Sequence, residues 1–98
     1  VGNLKDSFQC RKAFISAESA SVDYGAANSS FYSGVAKRVA MESSDECYLL
    51  LDHAGFSSQS YNTFAKLSAF RGIVTDKHPP QRIVQYCMEN DIRICCTL

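Results

Sequence analysis

A chain of 98 residues has room for one small domain, and its ten basic and ten acidic side chains cancel to zero net charge. A neutral chain has no strong electrostatic reason to hold a polyphosphate backbone, so direct DNA or RNA binding by these residues is not expected. Apolar residues make up 46% and charged residues 20%, an ordinary globular balance, and no apolar run approaches the roughly 20 residues that span a bilayer, so no membrane partner is expected.

In chain order, KAFISA (12–17) is short and apolar and predicts a strand. ESASVDYGAANSS (18–30) is rich in Ser, Ala, Asn and Gly and reads as a loop. Ser29 or Ser30 can cap the following helix, because a serine oxygen accepts a free first-turn N–H. Phe31, Val35 and Val39, with Tyr32, Ala36 and Ala40 beside them, form one apolar helical stripe through about residue 44. ECYLLLD (46–52) is apolar nearly throughout, as in a strand covered on both faces. A polar connection follows, in which Tyr61, Phe64 and Leu67 suggest a short helical turn. GIVTD (72–76) is a third strand. Pro79 and Pro80 suit a helix start, Ile83, Val84, Tyr86 and Cys87 give that helix a buried side, and Asn90 can end it. RICCTL (93–98) is the last strand.

Strands alternating with helices predict an α/β sandwich with a mainly parallel sheet and helices on both faces. Ligands of such sheets bind beyond the C-terminal strand ends. That rule selects Ala17–Glu18, Asp52–His53 and Thr75–Asp76, although acids at strand ends also serve as caps or as solvated ends. Asp52 and His53 are sequence neighbours, so within a strand they point to opposite faces and form a dyad only if the strand breaks there. Lys37 and Arg38 read as a solvated helical pair, or Lys37 projects toward the loop and meets an anion. His78, before two prolines, reads as a surface or capping residue. The five cysteines form no CxxC pair and have no histidine at ligand spacing. They read as reduced thiols of a cytoplasmic protein, with Cys47 and Cys95 in the core, and neither a metal nor a cofactor is expected. The phosphate-loop, dinucleotide, nucleophile-elbow and HExxH motifs are all absent.

The segments also carry a family resemblance. AFISAES (13–19) resembles the "FIGADG" segment of the effector-sensing domain of DeoR-type bacterial transcriptional repressors. VAKRVAMESSDECYLLLDHAGFSS (35–58) is similar to that family's "vKramiesA…vlLaDhSKFg". FRGIVTD (70–76) is similar to "idtlITD", and QRIVQYCMENDIRI (81–94) to the closing helix and strand. The order and near-constant spacing of these segments extend over nearly the whole chain. The resemblance implies the fold of ribose-5-phosphate isomerases and CoA transferases, a three-layer α/β sandwich, here truncated.

In that superfamily the ligand is commonly a sugar phosphate. Its site uses an acid in the "GAD" turn, a glycine-rich loop, a helix residue that is a catalytic Glu in the isomerases, and the Lys of "D-x-S-K". Carried over, the acid falls on Glu18 and the loop on Tyr24 to Ser30, with Asn28 where the isomerases place a Lys. The catalytic Glu falls on Lys37, and the Lys of "D-x-S-K" falls on Gly55. An aldose–ketose isomerase needs a carboxylate to shuttle a proton, which a protonated lysine cannot do, so enzyme activity is not expected. The resemblance implies an effector-sensing and oligomerisation part of a repressor, with Glu18, Asn28, Lys37, Asp52 and His53 lining a pocket for a phosphorylated sugar or similar small anion. The alternatives are a degenerate sensor that only dimerises and an isomerase-like enzyme. The resemblance further implies that residues 1–98 are part of a larger sensor, lacking its phosphate loop and the winged helix-turn-helix through which DNA would be bound, and that an exposed edge strand drives self-association.

Overall fold

The computed structural model describes residues 10–97. Among these residues seven strands are present: β1 (Cys10–Ser16), β2 (Ser19–Ser21), β3 (Gly25–Asn28), β4 (Ser44–Leu51), β5 (Asn62–Ala65), β6 (Gly72–Thr75) and β7 (Arg93–Cys96). Two α-helices, α1 (Phe31–Glu42) and α2 (Gln81–Glu89), and two short 3-10 helices, His53–Phe56 and Leu67–Ala69, complete the order. The class is α/β as expected. A four-stranded parallel sheet runs β1-β4-β6-β7, and a three-stranded antiparallel sheet runs β2-β3-β5.

The core follows from strand alternation. Ile15, Leu49, Ile73 and Ile94 stand in register across the parallel sheet and therefore share one face. The first three are buried, and Ile83 and Cys87 of α2 join the same cluster, as do Ala20, Ala26 and Phe64 of the small sheet. The neighbouring row, Phe14, Tyr48, Gly72 and Arg93, lies on the opposite face. Phe14 stacks on Tyr48 with ring centroids 5.4 Å apart, yet remains 59% exposed. Gly72 makes room for the Tyr48 ring, since a Cβ there would stand 2.9 Å from Tyr48 Cδ1. Among the described residues, both helices supply core contacts on the Leu49 face.

Ser30 caps α1, accepting the Ser33 N–H at 3.2 Å. The apolar stripe of α1 does not face the core, however. Phe31, Tyr32, Val35 and Val39 are 63%, 83%, 44% and 57% exposed, whereas Gly34 is buried. The inward face is the one with least bulk, because Phe64 stands against it: a Cβ on Gly34 would lie 3.2 Å from Phe64 Cβ.

Two expected connections are strands instead. The loop of residues 18–30 forms the β2–β3 hairpin, turned by Gly25 at a φ of +85°. Its small side chains mimic a loop in composition, but they let the hairpin approach the core closely. The expected turn around Tyr61, Phe64 and Leu67 contains β5, which pairs with β3 and buries Phe64, followed by a 3-10 helix that buries Leu67, while Tyr61 is exposed. Cys47 is buried as expected, but Cys95 is exposed because its alternation places it on the open face beside Val74. Asn90 closes α2, with its amide N–H and its side-chain Nδ2 donating to the Tyr86 carbonyl at 3.0 and 2.9 Å. Leu98, the last residue of the expected closing strand, and the Cys10 side chain lie outside the described residues.

Candidate functional site

The parallel strands end side by side, so Ser16, Leu51 and Thr75 deliver the residues that follow them to one edge. β4 breaks after Leu51, and Asp52 caps the 3-10 helix that begins at His53, its Oδ1 accepting the Ala54 N–H at 2.9 Å. The break turns the imidazole back. His53 Nδ1 lies 3.3 Å from Asp52 Oδ1 and 2.9 Å from Asp76 Oδ2. The His53 backbone N–H donates to Asp76 Oδ1 at 2.8 Å, and the Thr75 hydroxyl approaches the same oxygen at 3.4 Å. These bonds from the ring and backbone of His53 hold the Asp76 carboxyl down at a pKa of about 2. The strand end at Thr75–Asp76 is selected by the same rule, yet Asp76 is absent from the residues inferred by resemblance. Its participation depends on the register of β4 against β6, which no local motif records.

Glu18, Asn28 and Lys37 form a second group at the end of β1. The Glu18 carboxylate accepts the Ser29 N–H at 3.0 Å and the Ser29 hydroxyl at 3.1 Å, with the Ser60 hydroxyl at 3.4 Å. Asn28 is only 1% exposed. Its Oδ1 accepts the Glu18 N–H at 3.2 Å and its Nδ2 donates to Ser33 Oγ at 3.2 Å, so both amide atoms already have protein partners. Lys37 Nζ donates to the Ser16 carbonyl at 2.6 Å and lies 5.6 Å from the Phe64 ring centroid. Partial burial pushes the Lys37 ammonium pKa below its ordinary value, and the nearby Glu18 charge opposes that shift. Lys37 thus sits at the end of β1, with its ammonium on Ser16.

Gly55 joins the two groups. It is buried, and a Cβ there would stand 2.6 Å from Leu51 Cδ1 and 2.9 Å from the Glu18 carbonyl oxygen. The position that the resemblance assigns to a lysine is thus filled by close backbone approach. A separate cavity of about 550 Å³ opens at the other end of β4, lined by residues including Arg38, Glu42, Asp45 and Lys66. Its charges are of both signs, and it is remote from the parallel-strand C-termini.

Comparison with known proteins adds to this geometry. The family model described as the DeoR C-terminal sensor domain matches residues 3–77. The HTH-type transcriptional regulator IolR of Bacillus subtilis is 33% identical over 91 residues, covering 93% of this chain and 36% of that protein. The L-fucose operon activator of Haemophilus influenzae is 38% identical over 56 residues, 57% of this chain and 22% of the relative. A putative sgc region transcriptional regulator of Escherichia coli is 29% identical over 80 residues, 82% of this chain and 31% of the relative. The chain therefore spans about a third of the length of these relatives, or less. No helix among the described residues is long and apolar enough to cross a membrane.

Proposed function

The chain belongs to the family of DeoR C-terminal sensor domains, and we propose that its effector is a phosphorylated sugar or a similar small anion, held beyond the C-terminal ends of β1, β4 and β6. The observation that carries this reading is the convergence of Glu18, Lys37, Asp52, His53 and Asp76 on one sheet edge. Lys37 supplies an ammonium there, and Ser16, Ser29 and Ser60 supply hydroxyls suited to a polyol. The L-fucose operon activator, a relative whose name ties it to a sugar operon, supports a sugar-derived effector. Asn28 serves here by bracing Glu18 against α1. Binding favours one conformation of the sensor, and by linkage the operator affinity of an attached DNA-binding domain changes. Such a role needs differential affinity and no proton acceptor, so Lys37 at the position of the isomerases' catalytic Glu is compatible with sensing and not with their chemistry.

Self-association is part of the same proposal. Parallel sheets are normally covered on both faces, and Phe14 and the outward stripe of α1 are exposed among the described residues. Gly55 favours a second reading, a sensor fold kept for assembly alone, because no lysine stands at that position and no side chain fits there without a shift.

A thermal-shift screen tests the two readings. The ligands are phosphorylated pentoses and hexoses, their unphosphorylated parents, sugar alcohols and inorganic phosphate. Binding to the native state alone raises stability by about 2.7 kcal/mol at a ligand concentration one hundred times the dissociation constant. A selective upward shift with a sugar phosphate is the expected result. A flat screen on folded protein transfers the assignment to assembly alone.

A further inference from the structure

Two adjacent strand ends place one imidazole between two carboxylates. The donor atoms His53 Nδ1, one Asp52 oxygen and one Asp76 oxygen all lie within 4.8 Å of one another. Among the described residues the ion pairs of Asp52 and Asp76 involve only His53, so there the two acids share a single group of at most one positive charge. Lys77, the next residue after Asp76, is exposed and pairs with neither.

The two distances from the imidazole also match a coordination sphere. Metal–nitrogen and metal–oxygen bonds of about 2.0–2.2 Å place neighbouring ligands about 2.8–3.6 Å apart at octahedral or tetrahedral angles. His53 Nδ1 already lies 2.9 Å from Asp76 Oδ2 and 3.3 Å from Asp52 Oδ1. The supporting bonds aim these donors. Asp76 Oδ1 is held by the His53 backbone N–H, which leaves Oδ2 turned toward the ring, and Asp52 is held by the Ala54 N–H. Carboxylates fixed in this way by a second set of hydrogen bonds are what a metal site requires. All three side chains are partly open to solvent, with about half or more of each surface accessible, so an ion here would retain positions for water or for a ligand oxygen.

We propose that Asp52, His53 and Asp76 bind a first-row divalent cation, and that the bound cation holds the anionic group of the effector. The second half rests on the effector reading given above, while the first does not. An imidazole with two carboxylates suits the manganese-to-zinc series. The ion takes the place of the proton between His53 Nδ1 and Asp76 Oδ2; its two charges balance those of the two carboxylates, and its open coordination positions are what an anionic oxygen would meet. Sequence spacing does not reveal such a site, because Asp76 follows a different strand from the one that ends at Asp52 and His53.

The test is a Mn²⁺ titration of the 98-residue chain, followed by loss of the free-ion electron paramagnetic resonance signal. Mn²⁺ is chosen because it favours carboxylate oxygens over the exposed thiols of Cys95 and Cys96. One bound ion per chain is expected. Asp52→Asn, Asp76→Asn and His53→Ala should each weaken binding by about tenfold or more. The two Asn variants retain the carbonyl oxygens that accept the capping N–H bonds, so loss of binding in them is not loss of fold. Absence of binding below millimolar Mn²⁺, or equal binding by all three variants, overturns the site.

A second arm repeats the sugar-phosphate screen with Mn²⁺ and with chelator. A larger shift with Mn²⁺ supports the bridging role. Equal shifts with chelator overturn bridging while the effector reading stands. Bound Mn²⁺ with no sugar-phosphate shift overturns both bridging and the effector reading, and leaves the metal site in place.

Discussion

Gly55 shows how one residue constrains a site. The resemblance suggests that a lysine there would restore a lost cation, but the packing shows what such a lysine would meet. Its Cβ would press on Leu51 and on the Glu18 backbone, and the carbonyl cannot rotate away as a side chain could. Gly55→Lys is therefore expected to destabilise the chain by about 1–3 kcal/mol, the usual cost of overpacking. It should also fail to raise affinity for a sugar phosphate, because the shift it forces reaches Glu18. Urea unfolding of the variant together with its binding isotherm checks both expectations. A stable variant with raised affinity would show that the turn opens readily. Asp52 and His53 illustrate the complementary case. Their strand-end position was legible from three leucines running into an acid and an imidazole. Their convergence on Asp76 was not, because it depends on a break after Leu51 and on Leu51 standing opposite Thr75.

At the scale of elements, the parallel strands and both helices were legible, because apolar runs and caps are local signals. Ser30 and Asn90 bound helices where their side-chain chemistry expects. The antiparallel sheet was not legible. Its strands β2 and β3 are built from Ser, Ala, Gly and Asn, residues with little intrinsic strand preference, and only tertiary pairing makes them strands. The orientation of α1 was also misleading. Its apolar stripe suggested an inward face, yet the helix presents Gly34 to Phe64 and turns the stripe outward. Gly34→Val tests this orientation. The added methyl groups would meet Phe64, and a loss of about 1–3 kcal/mol is expected, whereas Val35→Ala on the outward face should change stability by less than about 0.5 kcal/mol. Chemical denaturation of both variants decides, and the reverse ranking would place the stripe inward.

At the scale of the molecule, two apolar surfaces are left open among the described residues. One is the Phe14–Tyr48 row on the open sheet face, and the other is the Phe31, Val35 and Val39 stripe. Exposed apolar surface of this kind marks an interaction site. Multi-angle light scattering is expected to give a mass above that of one chain. Val35→Asp combined with Val39→Lys should lower that mass if α1 carries the contact, and Phe14→Ser should lower it if the sheet face does. A monomer at high concentration in the unaltered chain would remove assembly from the proposed function.

Effector binding is proposed at the C-terminal edge of the parallel sheet. The most direct test is amide chemical-shift mapping on isotopically labelled chain during addition of the phosphorylated sugar that gives the largest thermal shift. The amides of Glu18, Ser29, Lys37, His53 and Asp76 are expected to move together and saturate with one affinity. Perturbations confined to Arg38, Asp45 and Lys66, around the cavity at the other end of β4, would contradict it and place the ligand there instead.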